Sequence, residues 1–242
     1  MKILIRFCRS SIGRKYLMAI TGLLLFAFVV AHMLGNLKIF SGPDSLNHYA
    51  KMLKTYPALL WSFRIGLFTA AIIHVVIGIS LVLENQQARP VDYARQRTIQ
   101  ASLASITMGI SGMIVLAFII YHILHFTVMA FHPEYHEMKA PIAATPGIYQ
   151  AISPVQEGTM YPDVYGMVIS AFSNRWISGF YIISVGILAF HLSHGLSSMF
   201  QSLGLRTRSM SKCLPWLARI VALIIFLGMA VVPFSVLFGL VK

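Results

Sequence analysis

Charge is scarce in this sequence. Only 11% of its 242 residues are charged, and just seven are acidic. A water-soluble domain carries about 25% charged residues. That shortfall, with a mean hydropathy of +0.76, excludes water as the main solvent and points to lipid. Cysteine is scarce as well: Cys8 and Cys213 are the only two, both in basic segments flanking apolar runs. With no CxxC pair and no framework of even spacing, a disulfide-stapled fold is excluded. Both thiols are expected to be unpaired, as suits a reducing cytoplasmic face. No low-complexity tract interrupts the chain. The length suits one membrane domain over residues 1–242 and leaves no room for a second, soluble one.

The formal charge of +12 does not make this a nucleic-acid-binding chain. The positive residues sit in short clusters between long apolar runs, and no basic face alternates with base-stacking aromatics. A membrane protein with basic loops on its inner side accounts for them.

Five stretches free of Asp, Glu, Lys and Arg are long enough to cross a bilayer core of about 30 Å, which takes roughly 20 helical residues. They run approximately 16–37, 65–83, 102–127, 177–199 and 220–241. Backbone polar groups in lipid must be satisfied within the segment, so these stretches are expected to be helices. The predicted fold is an all-α integral membrane bundle of five transmembrane helices. The basic opening MKILIRFCRSSIGRK resembles the start of a signal peptide. The apolar run after it is too long, and no clean small-x-small site follows, so cleavage is not expected.

The loops alternate in charge. Lys2, Arg6, Arg9, Arg14 and Lys15 precede the first span; Arg89, Arg95 and Arg97 lie in the second connection; Arg206, Arg208 and Lys212 lie in the fourth, with Arg219 just beyond. With five spans these segments share one side, which the positive-inside rule makes cytoplasmic. The N-terminus is then inside and the C-terminus outside. The third connection, residues 128–174, holds five of the ten prolines and four acidic residues, Glu134, Glu137, Glu157 and Asp163. A loop of that length usually has a function or is disordered. Its tyrosines and the stretch Val164–Phe172 predict that part of it packs as a cap on the outer face.

Histidine is costly inside a bilayer and marks a ligand, a proton path or an interhelical hydrogen bond. Here His32, His74, His122, His125, His191 and His194 fall in the first four spans, and the fifth has none. At ~1.5 Å of rise per residue, His32 lies roughly 8 Å and His122 roughly 10 Å outward of the span midpoints. The same rise puts His74 about 3 Å and His191 about 5 Å inward. Helices one and three thus meet at an outer layer, and two and four at an inner one. His125 would sit near the outer boundary and His194 nearer the inner surface. Depth favours His122 and His191 without deciding between neighbours. A facing pair of imidazoles is what a six-coordinate haem iron requires, the porphyrin giving four nitrogens in plane. Zinc would need three or four converging protein ligands, and each layer lacks the carboxylate or thiolate to complete them. Gly35, Gly78 and Gly195 follow His32, His74 and His191 by three or four residues, on the same helix face. They offer room for a flat macrocycle or, more blandly, for close helix packing. Arg14, Lys15 and Thr21 at the inner end, and Asn36, Lys38 and Arg175 at the outer, are candidate propionate partners, although ordinary interfacial snorkelling is the preferred reading for any single one of them.

KYLMAITGLLLFAFVVAHMLGNLKIF, HVVIG, SGMIVLAFIIYH and GFYIISVGILAFHLSHGLSSMFQSLG together resemble the dihaem cytochrome b membrane anchor of succinate:quinone oxidoreductases, the succinate dehydrogenases and fumarate reductases with a single-chain anchor. The likeness covers most of the chain. It implies two b-type haems with axial ligands at the histidines of AHMLGN, IHVVIG, IIYH and FHLSHG: His32 with His122 at the distal haem, His74 with His191 at the proximal one. It implies a flavoprotein subunit and an iron–sulfur subunit on the cytoplasmic face of a bacterial inner membrane, with electrons exchanged with a quinone, expected to be menaquinone. No partnership with nucleic acid is implied. One departure stands out. Family members that use menaquinol near the outer haem carry a glutamate near the start of the second helix, whereas Tyr56–His74 here contains no acid, only Arg64. The other readings are the cytochrome b anchor of a hydrogenase or formate dehydrogenase, and a haem-free transporter or proton channel that uses the histidines as a relay.

Overall fold

The computed structural model describes residue 6 and residues 10–88, 101–141 and 158–242. Helix α1 spans Ser11–Asn36 and tightens into a 3-10 turn at Leu37–Ser41. Helices α2 (Pro43–Thr55) and α3 (Pro57–Gln87) follow; each has proline at its first position, where the missing N–H has no helical partner to lose. A single helical turn, Leu103–Ile106, leads into α4 (Met108–His122), which continues as a π-helical turn over Ile123–Thr127. Beyond it come a 3-10 turn at Pro133–His136, strands β1 (Lys139–Pro141) and β2 (Met160–Pro162), and helices α5 (Val164–Ser173), α6 (Arg175–Ser202) and α7 (Met210–Leu237).

Five of these helical segments are long and apolar enough to cross a membrane: Ser11–Ser41, Pro57–Gln87, Met108–Thr127, Arg175–Ser202 and Met210–Leu237. The described chain is that of an α-helical multi-pass membrane protein. The helices outrun the charge-free stretches. α3 begins eight residues before Ile65 and takes in Arg64, and α7 begins at Met210 and takes in Lys212 and Arg219. Charge stops an apolar run but does not stop a helix, because a long side chain keeps its head in the interface while its stem lies along the helix. The three tryptophans show where this happens. The guanidinium carbon of Arg64 lies 5.2 Å from the ring centre of Trp61, that of Arg175 5.3 Å from Trp176, and that of Arg219 5.2 Å from Trp216. Such cation–π pairs suit the interfacial level, where tryptophan is enriched.

The chain divides into two compact units. Unit 1 comprises Met1–Val29, Ile65–Val115 and Ile187–Ile224; unit 2 comprises Val30–Arg64, Leu116–Gly186 and Ile225–Lys242. Unit 1 buries small side chains, among them Ala19, Ala70, Ala189, Ala218 and Ala222, with Thr21 and Ser111. Small residues allow the close backbone approach that holds helices together where lipid supplies no hydrophobic drive. At one end Arg14 of α1 clasps Glu84 of α3 with both terminal guanidinium nitrogens, Nη2 at 2.8 Å from Oε2.

Unit 2 is built on larger rings. Ile39, Leu46, Val168, Phe172, Tyr181, Val232 and Val236 form its core. The predicted packing of Val164–Phe172 is met: α5 buries Met167, Val168, Ala171 and Phe172. A polar clasp sets its start. Asp163 accepts the Gly166 N–H at 2.9 Å as an N-cap, and Asn47 of α2 donates to the same carboxylate at 3.0 Å while accepting the Tyr165 N–H at 3.0 Å. The short antiparallel pair β1–β2, with Ala140 opposite Tyr161, is a feature that the apolar periodicity did not reveal. Cys8, Arg89, Arg95, Arg97, Pro146, Pro154 and Glu157 lie outside the described residues; Cys213 is an exposed free thiol.

Candidate functional site

The four predicted ligands fall two to each unit. In unit 2, His32 of α1 and His122 of α4 face one another with ring centres 5.7 Å apart and planes at 84°. In unit 1, His74 lies on α3 and His191 on α6. All four are partly buried.

Each histidine of the unit 1 pair rests on the neighbouring helix in the same way. Nδ1 of His74 lies 3.2 Å from Thr21 Oγ1, and Nδ1 of His191 lies 3.2 Å from Ser111 Oγ. A Cβ added to Gly22 would stand 3.2 Å from His74 Cε1, and one added to Gly112 3.3 Å from His191 Cε1. Bare backbone therefore lies under each imidazole edge. The glycines singled out from sequence do something else. The ring of Tyr49 covers Gly35, 2.6 Å from where a Cβ would be; the methyl of Met18 lies 3.2 Å from that point on Gly78, and the methyl of Met108 3.5 Å from it on Gly195. Each of these three glycines thus has a side chain packed beside it.

In unit 2 the structure separates His122 from His125. His125 is fully buried, its Nδ1 2.8 Å from the Tyr181 hydroxyl, among Phe126 (ring centres 4.2 Å), Tyr121 (5.5 Å) and His132 (5.4 Å). The π-helical turn that carries it, closed by Val128 N–H to Ile123 C=O at 2.9 Å, is a local distortion of a kind that recurs at functional sites. Met129 just beyond adopts φ +57°, uncommon for a residue with a Cβ. Past the span, His132 Nδ1 bonds Glu134 Oε1 at 2.8 Å and its ring stacks on Tyr135 at 4.8 Å. The His132 bond holds the Glu134 carboxyl below its ordinary value, and burial pushes the Tyr135 phenol up.

Most of the suggested propionate partners are engaged within the protein. Arg14 pairs with Glu84, Asn36 Nδ2 donates to the His32 carbonyl at 2.8 Å, Lys38 lies 5.7 Å from the Tyr49 ring centre, and Arg175 lies over Trp176. Lys15 is exposed. Arg14 keeps one donor in hand, a buried Nε without a partner.

The donor set fits a haem better than a bare ion. Among the described residues no three His, Cys, Asp or Glu side chains converge on one point, as a protein-only zinc site demands. Pairs are what remain, and a macrocycle supplying its own four nitrogens needs only a pair. The buried Nδ1 of His122 has no hydrogen-bond partner, and neither has Nε2 of His125.

Comparison with family models, curated proteins and solved structures finds no match to this chain.

Sequence reasoning listed Thr21 only as a propionate partner and passed over Ser111 and Tyr181. The signal for the first two was present as an internal repeat. Met-x-Ile-Thr-Gly-x4-Ala-Phe-x3-His runs from Met18 to His32, and the same pattern with serine runs from Met108 to His122. His-x3-Gly-x-Ser then occurs at His74–Ser80 and at His191–Ser197. Tyr181 had no such signal, since its partner lies 56 residues away.

Proposed function

We propose that this chain is the membrane anchor and electron-transfer subunit of a succinate:quinone oxidoreductase. In this reading it holds two b-type haems, one between His32 and His122 and one between His74 and His191. The observation that carries it is the facing imidazole pair of His32 and His122, with His74 and His191 each on a further membrane-length helix. When bound, the haems supply one-electron carriers. The chain's own residues do the rest. Four imidazoles would hold the irons, Thr21 and Ser111 would orient two of them, and Phe118, Phe126 and Tyr181 pack around His122.

Succinate and quinone come into this proposal from the sequence resemblance. The flavoprotein and iron–sulfur subunits would dock on the cytoplasmic face, with the N-terminus on that side and the C-terminus outside. The placement of basic residues before the first span and in the second and fourth connections supports that orientation in a bacterial inner membrane. Menaquinone is the proposed quinone. A dithionite-reduced minus oxidised spectrum of the purified protein should show b-type bands for two haems per chain. The co-purified complex should reduce quinone with succinate. Absence of the bands would overturn the cytochrome reading; haem without either partner subunit would instead favour the anchor of another respiratory oxidoreductase.

A further inference from the structure

We infer that Thr21 and Ser111 are paired positioning residues, which fix the tautomer of His74 and His191 so that each imidazole presents a bare Nε2. What those nitrogens then bind rests on the cytochrome reading above; the tautomer itself does not.

The direction of donation follows from the other contact each hydroxyl makes. A hydroxyl has one hydrogen and two lone pairs. Thr21 gives its hydrogen to the main-chain carbonyl of Leu17 at 2.7 Å, with that of Met18 also near at 3.2 Å. Ser111 gives its hydrogen to the carbonyl of Met108 at 3.1 Å. What each oxygen can still offer is a lone pair, so it accepts from the imidazole Nδ1 at 3.2 Å. A neutral imidazole carries one N–H. With that N–H on Nδ1, Nε2 keeps its lone pair, the state required of a ligand bound through Nε2, and the bond made by one ring nitrogen sets the role of the other.

Gly22 and Gly112 complete the device. The helix backbone beside each hydroxyl lies under the Cε1 edge of the ring, so the edge bearing Nδ1 rests on the neighbouring helix. Hydroxyls that bond back along their own helix are common and by themselves mean little. Here the back-bond recurs with an imidazole nitrogen on the same oxygen in both halves of the internal repeat. The two residues used, threonine and serine, have only the hydroxyl in common.

The test uses the full chain and four variants: Thr21→Val, which keeps the shape and loses the hydroxyl, Thr21→Ser, Ser111→Ala and Ser111→Thr. 15N spectra of the histidine-labelled chain as purified should place the hydrogen of His74 and His191 on Nδ1. Thr21→Val should shift His74 alone toward the other tautomer and Ser111→Ala should shift His191 alone, whereas Thr21→Ser and Ser111→Thr should retain the wild-type state. In the haem-loaded protein, the two hydroxyl-removing variants should each weaken retention of the His74–His191 haem about ten-fold or more and raise its midpoint potential. The His32–His122 haem should be unmoved. Wild-type histidines protonated on Nε2, or hydroxyl-free variants with wild-type tautomer and potential, would overturn the inference. Should one variant fail to fold, the pair at the other helix decides. A wild-type chain that takes up no haem would defeat the cytochrome reading alone, since the tautomer spectra would still decide the role of the hydroxyls.

Discussion

The hydroxyl of Tyr181 stands 2.8 Å from Nδ1 of His125, and this bond turns one of two neighbouring histidines away from the pair. His122, three residues earlier, faces His32. Removing the Tyr181 hydroxyl leaves a buried ring nitrogen without a partner, which typically costs about 1–3 kcal/mol. Tyr181→Phe should therefore lower thermal stability by an amount in that range and leave haem content at the wild-type level. Loss of haem in this variant would mean that His125, not His122, is the ligand.

Single replacements of the four paired histidines should behave differently. His32→Ala, His74→Ala, His122→Ala and His191→Ala should each reduce haem from two per chain to about one, because an axial pair fails when either member is lost. Pyridine haemochrome analysis of the purified variants measures this directly. Retention of both haems after any one change would remove that residue from the proposed set.

The packing role of Gly35 makes a separate prediction. A Cβ there would press on the Tyr49 ring, and overpacking of this kind costs about 1–3 kcal/mol. Gly35→Ala should destabilise the protein by that much without changing the reduced haem spectrum, and adding Tyr49→Ala should recover part of the loss. A spectral change with intact stability would return Gly35 to the haem pocket.

The His132–Glu134 contact carries a pH dependence of definite sign. The bond from His132 holds the Glu134 carboxyl below its ordinary value, so the folded turn takes up this proton less readily than the unfolded chain does. The contribution is fully present above the ordinary carboxylate pKa of about 4.3 and is lost as pH falls through the lowered, folded value. Hydrogen exchange of the Tyr135 and Glu137 amides, which close the turn onto His132 and Glu134, should accelerate over that acid range. His132→Gln should abolish the pH dependence; an unchanged profile would show that the turn is held by other contacts.

Much of this protein is legible without coordinates, and the illegible parts share one cause. The five spans can be read because lipid imposes a simple demand, about twenty apolar residues per crossing. Their ends are less legible: Arg64 and Arg219 lie inside helices, since a charged head can leave the membrane while its helix continues. The hairpin at Ala140 and Tyr161 and the clasp of Asn47 on Asp163 join residues far apart in sequence, and no local period marks such a meeting.

Residue type and spacing alone determined that four helices carry histidine, that these fall at two depths, and that a repeated hydroxyl–glycine step stands ten or eleven residues before His32 and His122. Tertiary structure decided which nitrogen each histidine keeps for itself. His125 spends one on Tyr181, and His74 and His191 spend theirs on Thr21 and Ser111. Hydrophobic pattern records how deep a residue lies along its helix. A hydrogen bond across helices depends on rotation and approach to within about 3 Å, which the pattern does not record.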